Sequence, residues 1–214
     1  MEATLAAVIN WLSPKSAMSM VIATSFAAGL NVYATVLAVG LLSRSGLMTL
    51  PPALQELQSW WVIGASATLF LVEFFGDKVP AFDLVWNALH TFVRVPVAAL
   101  IAYFAADELS PRDKMICAVV GGLIALAAHS GKTALRAFVT PSPEPLSNIT
   151  LSVGEDAVAI GLTWLAARHP YVAAGIALTG VLLVIFVIRF VIRALRALFG
   201  GAERAVQSSP QRRM

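Results

Sequence analysis

The residues of this sequence that could do chemistry are ionisable side chains at helical spacing inside strongly apolar stretches. Glu73 and Asp77 stand four apart, which places both carboxylates on one helix face, and Lys78 follows them. Asp83, Asn87, His90 and Arg94 fall at i, i+4, i+7 and i+11, a continuous polar stripe along one face of a helix. His129, Lys132 and Arg136 repeat at i, i+3 and i+7. Ser152 precedes Glu155 and Asp156 by three and four residues. An uncharged stripe of Thr24, Ala28, Asn31 and Thr35 is interrupted by Gly29. A glycine close to an asparagine in mid-span is expected to mark an unwound point that exposes backbone groups.

A charge near the centre of a bilayer costs a few kcal/mol or more, so each of these must be compensated. Glu73, Asp77, Asp83, Glu155 and Asp156 are negative, while Lys78, Arg94, Lys132 and Arg136 are positive, with His90 and His129 titratable. Near-neutrality points to a paired network in a water-accessible bundle interior; a ring of one sign would point to simple ion selectivity. The plainer alternative is that some of these side chains lie at helix ends and snorkel to head-group depth. Lys78, Asp83 and Arg136 fit that alternative best. All of them could also be structural ion pairs.

The elements that must position these groups follow from composition. Of 214 residues, 58% are hydrophobic and only 13% charged, against about 25% charged in a soluble domain. This excludes a disordered chain, a secreted disulfide scaffold and most soluble enzymes. A single cysteine, Cys117, allows no internal disulfide and no cysteine metal cluster, and in its apolar stretch it reads as a small core residue. A spanning helix needs about 20 apolar residues, and several segments qualify. The expected fold is an all-α, polytopic membrane helix bundle of about six transmembrane helices. The spans run near Ala17–Leu42, Ser59–Gly76, Phe82–Ala105, Lys114–Phe138, Asn148–Ala167 and Tyr171–Leu198, with Trp60 and Trp61 as interface anchors. Pro51-Pro52, Ser110-Pro111, Pro141 to Pro145 and His169-Pro170 break the chain between spans. Pro96 is expected to bend the third. Ala28–Asn31 and Ser130–Thr133 could correspond in two inverted three-helix halves.

Residues 1–14 carry Leu5, Val8, Ile9 and Leu12 at helical spacing before Ser13-Pro14, an expected interfacial helix whose acidic start does not suit a signal peptide. Residues 15–199 form the bundle, and residues 200–214 a disordered basic tail. Net charge is +3, and Arg189, Arg193, Arg196, Arg204, Arg212 and Arg213 face only Glu203 near the C-terminus. A cluster of that kind marks a cytoplasmic flank meeting anionic lipid, rather than a nucleic-acid site. Six spans would then put both termini in the cytoplasm, with Lys15, Lys78, Lys132 and Arg136 on the inner side.

Other signals are weaker. Gly131-Lys132-Thr133 resembles the end of a phosphate-binding loop, but the required glycine position holds Leu126. Asn148-Ile149-Thr150 matches a glycosylation acceptor on a side where it would go unused. His90, His129, Glu73 and Asp77 lack the local spacing of a known zinc signature. Ser130 beside His129 points to a different helix face, a poor basis for serine hydrolysis. No metal or cofactor is expected.

Five stretches carry a family resemblance. They are Ala27-Ala28-Gly29-Leu30-Asn31-Val32-Tyr33, Val72 to Pro80 with Glu73 and Asp77, and His90-Thr91-Phe92-Val93-Arg94, followed by His129-Ser130-Gly131-Lys132 with Arg136, and Ser152 through Asp156. Together they resemble the bacterial membrane family called domain of unknown function 4126, over most of residues 20–190. The resemblance implies a multi-pass inner-membrane protein and no particular activity.

The leading expectation is a small transporter or channel for an ion or a small polar or anionic solute, in a bacterial inner membrane and able to work as a homodimer. Its partners would be the bilayer and that solute. Glu73 and Asp77 would form one acidic side, Glu155 and Asp156 the other. His90, Arg94, His129 and Lys132 would balance them, bind an anion or relay protons, and Asn31 would supply neutral ligands. Glu73 is the first candidate for a proton carrier. Two alternatives stand beside this: a membrane enzyme holding a lipid or isoprenoid phosphate on Lys132, Arg136 and Arg94 with a metal on the carboxylates, and a structural or assembly protein whose charges only pair helices.

Overall fold

Proline opens most of the helices. In the computed structural model, which describes residues 14–76, 80–139 and 145–208, the chain forms α1 (Pro14–Leu30), α2 (Val32–Arg44), a 3-10 segment (Pro52–Gln58), α3 (Trp60–Gly76), α4 (Pro80–Ala105), α5 (Pro111–Val139), α6 (Pro145–Arg168) and α7 (Pro170–Ser208). Proline stands first in α1, α4, α5, α6 and α7, where its missing N–H would be unpaired in any helix. Ser110 caps α5: its Oγ accepts from the Asp113 N–H at 3.2 Å and donates to the Asp113 carboxylate at 2.7 Å. The described residues are helical with no strand, as the composition predicts.

Small residues set the packing. α1 is the buried centre. Its Ala23, Phe26 and Ala27 pack against Ile124 and Ala128 of α5, Ala159, Leu162 and Ala166 of α6, and Ala173 and Ala177 of α7. Such residues let helix backbones approach closely where no lipid can intervene. α1 approaches α5 closely at Gly29, where a Cβ would lie 2.4 Å from the Ala125 carbonyl oxygen and 2.7 Å from the Ala128 Cβ.

The first apolar segment does not cross the bundle as one span. α1 runs alongside α5 from its start: Met18 meets Cys117 at 3.5 Å, Ser25 lies against Gly121, Gly29 against Ala125, and the Leu30 carbonyl meets Lys132. The helix then stops for one residue, Asn31. α2 returns along α4 and α6, with Val32 against Ala98 and Val39 clustered with Ile101 and Ala167. Met20, near the start of α1, packs in that same cluster with Val36 and Val39. The pair is a helical hairpin with its tip in the interior and both open ends beside the α4–α5 and α6–α7 turns. This corrects the single span expected over residues 17–42. The physical cause is the cap that Asn31 builds for a helix restarting in a new direction.

The described residues do not confirm the expected count of about six spans. Three described helices are long and apolar enough to cross a membrane: Pro111–Arg136, Ile149–Arg168 and Pro170–Phe190. The 3-10 segment and α3 make a fourth if counted together across their 62° bend. α1, α2 and the stretch Leu89–Ala105 of α4 are apolar but shorter. Because α1 and α2 double back, the start of α1 and the end of α7 lie at opposite ends of the bundle, not at the same end. α5 passes unbroken through Ser130–Thr133, so the break at Asn31 has no counterpart there, and the inverted-half correspondence fails at that point. α4 likewise continues through Pro96. Residues 1–13, expected as an interfacial helix, lie outside the described residues. α7 extends to Ser208, past the point where a disordered tail is expected.

Candidate functional site

The hairpin tip brings two helix ends into the interior. Asn31 has extended backbone, φ −149° and ψ 105°, and its Oδ1 accepts from the Ala34 N–H at 2.9 Å. This satisfies one of the free donors that open α2. Its Nδ2 donates to Asp156 Oδ1 of α6 at 2.8 Å. At the end of α1, the Leu30 carbonyl accepts from Lys132 Nζ at 3.2 Å. The positive end of the α2 dipole therefore faces a carboxylate, and the negative end of α1 faces an ammonium.

Lys132 is the hub. Beyond the Leu30 carbonyl, its Nζ lies 3.3 Å from Glu73 Oε1 of α3 and 3.2 Å from Glu155 Oε2 of α6. Three acceptors match the three protons of an ammonium. Glu73 Oε1 also accepts from Arg94 Nη2 of α4, and both side chains are fully buried. Glu155 Oε2 also accepts from Arg136 Nη2 at 2.7 Å. Each glutamate thus crowds two cations onto one oxygen. The other oxygens, Glu73 Oε2 and Glu155 Oε1, are buried and have no hydrogen-bond partner among the described residues.

Two histidines flank this chain. Arg94 Nη1 lies 2.7 Å from His129 Nδ1. A guanidinium can only donate, so Nδ1 accepts. The ring proton then sits on Nε2, which donates to Thr91 Oγ1 at 2.8 Å. His129 is therefore held as the neutral Nε2–H tautomer. His90 has the opposite arrangement: Nδ1 donates to the Trp86 carbonyl at 2.7 Å, and Nε2 accepts from the Tyr33 hydroxyl at 2.8 Å. Its ring stacks on Trp86 with centroids 4.2 Å apart.

Of the residues singled out by spacing, Asn31, Glu73, Arg94, His129, Lys132, Arg136, Glu155 and Asp156 meet around the hairpin tip, from α1 through α6. His90 joins through Tyr33, two residues from Asn31. Ser152 is fully buried one turn before Glu155. Arg136, the side chain best suited to snorkel by its position, is instead 5% exposed and paired with Glu155. Asp77 and Lys78 lie outside the described residues, as do the side chains of Asp83 and Asn87 on α4. Three groups escape a reading by charge: Tyr33, Thr91 and the Leu30 carbonyl. Tyr33 had a usable signal, a hydroxyl within the polar stretch that follows Gly29. No spacing rule announces a carbonyl.

The described buried charges balance: Glu73, Glu155 and Asp156 against Arg94, Lys132 and Arg136. Among the described residues no group of three His, Cys, Asp or Glu side chains converges as a metal ion would need. Comparison with known proteins adds a family and nothing finer. No curated protein and no solved structure matches the chain. A domain of unknown function, DUF4126, matches residues 18–190, and it contains the whole network. The chain therefore belongs to the DUF4126 family.

Proposed function

We propose that this chain is a small multi-pass transporter or channel of a bacterial inner membrane. It would pass an ion or a small polar or anionic solute by rearranging the Glu73–Lys132–Glu155 chain. One observation carries the reading: a single buried ammonium is shared by two carboxylates, each with one buried oxygen that has no donor among the described residues. Such an oxygen is where a proton or a cation binds. Protonating Glu73 removes the charge that holds Arg94 and Lys132, and the balanced set becomes net positive, which admits an anion. Lys132 then leans on Glu155 and on the end of α1. The hairpin tip is the element that this shift would move. Broken helices that offer half-helix ends to a buried site serve this purpose in transporters. The basic end of α7, with Arg189, Arg193 and Arg196, would face the cytoplasm.

The test is reconstitution in liposomes, recording internal pH and membrane potential under imposed proton, cation and small-anion gradients, with Glu73→Gln in parallel. A protein-dependent flux whose pH dependence disappears in the variant is expected. Liposomes holding folded protein yet as tight as empty ones would sink the transport reading. A flux with intact pH dependence in Glu73→Gln would remove Glu73 as the proton carrier. The charge balance among the described residues also favours a second reading, a structural bundle, under which the variant loses stability with no flux to lose.

A further inference from the structure

A cavity of about 440 Å³ lies between the two arms of the α1–α2 hairpin, at the end away from its tip. That volume is within the range of small-molecule sites. Its deep wall is buried and apolar: Val21 of α1, Val39 of α2, Leu54 of the 3-10 segment and Ile101 of α4. Thr24 is there too, but its hydroxyl is spent on the Met20 carbonyl at 2.8 Å. Exposed lining residues lie only at the outer end of the cavity and include Asp107 and Glu108. No residue of the charged network lines the cavity.

The charge at the mouth is one-sided. Both ionisable residues in the lining are acidic. Asp107 is partly neutralised by Lys114 at 2.7 Å. Of the other described cations at this end, Arg112 and Arg168 do not line the cavity, and Arg44 is turned away onto the Trp60 ring at 4.2 Å and the Gln58 carbonyl at 3.2 Å. Glu108 is exposed beside the opening. An apolar chamber with a carboxylate at its mouth suits a molecule with an apolar body and one positive charge. We infer that the hairpin cavity is a binding site for a hydrophobic monoamine, with Glu108 holding the ammonium and the Val21–Val39–Ile101 wall holding the apolar body. The site stands independently of the transport reading, because it shares no residue with the network.

The probe is 1-naphthylmethylamine, with the uncharged 1-naphthylmethanol as its control. Equilibrium dialysis is run against the protein in lipid nanodiscs, with empty nanodiscs subtracted. Saturable binding of the amine is expected, tighter than that of the alcohol. Glu108→Gln should weaken the amine about threefold, the scale of one solvent-facing ion pair, and leave the alcohol unchanged. Ala105→Phe, which fills the chamber, should abolish both. Equal binding of amine and alcohol, or of the amine to wild type and Glu108→Gln, would overturn the cation site and leave a place for a lipid chain. No saturable binding above empty nanodiscs would overturn the site altogether. Glu108 is exposed, so its variant decides the matter even if Ala105→Phe does not fold.

Discussion

At the scale of single residues, burial and pairing set what each charge is worth. Glu73 and Arg94 are both fully buried and in contact. Removing one partner leaves the other charge in a dry interior, which costs about 3–5 kcal/mol, whereas removing both can be close to neutral. Arg94→Leu alone takes from Glu73 one of its two cations, leaving Lys132, and also takes the donor from His129 Nδ1. Glu73→Leu alone takes the Glu73 carboxylate from Arg94 and weakens the hold on Lys132. The double variant Glu73→Leu/Arg94→Leu should therefore unfold later in denaturant than either single variant. Its coupling term should be favourable and about 2 kcal/mol. Additive losses in that cycle would show that the two side chains do not act as a pair.

At the scale of elements, Asn31 and Gly29 decide where the first apolar segment turns. Asn31→Ala removes the cap on the Ala34 N–H and the donor to Asp156. The lost cap costs about 1 kcal/mol, and the lost hydrogen bond to the Asp156 carboxylate about 1.5–3 kcal/mol more. Asn31→Asp would keep the cap but set a second carboxylate against Asp156. Thermal unfolding in detergent should then rank wild type above Asn31→Ala and Asn31→Ala above Asn31→Asp. An Asn31→Asp protein as stable as wild type would mean that the contact with Asp156 is not made. Asn31 and the charges were legible in the sequence because a polar residue in an apolar helix stands out at a period of 3.6. The direction of the chain after Asn31 was not legible. Hydropathy runs evenly across the break, and only the close contact at Gly29 and the alanines of α1, α5 and α6 show which way α2 can pack. The pairing of Arg136 was hidden for a related reason, since spacing tells which face a side chain occupies but not how deep that face lies.

At the scale of the whole molecule, the hairpin changes how the ends are disposed. If residues 17–42 crossed as one span, the start of α1 and the end of α2 would face opposite sides of the membrane. Met20 packs against the cluster that holds Val39, and both residues line one cavity, which brings the start of α1 and the end of α2 to the same end of the bundle. Single cysteines can read this directly. Cys117 is buried, and Cys117→Ala supplies a background without it. In that background, Lys15→Cys marks the start of α1 and Ser45→Cys, an exposed position, marks the end of α2. A membrane-impermeant maleimide added outside intact cells or oriented vesicles should label both positions or neither, and permeabilisation should expose both together. Labelling of one from each side would return the segment to a simple crossing. It would place Asn31 in the middle of an ordinary span and remove the movable tip on which the transport reading depends.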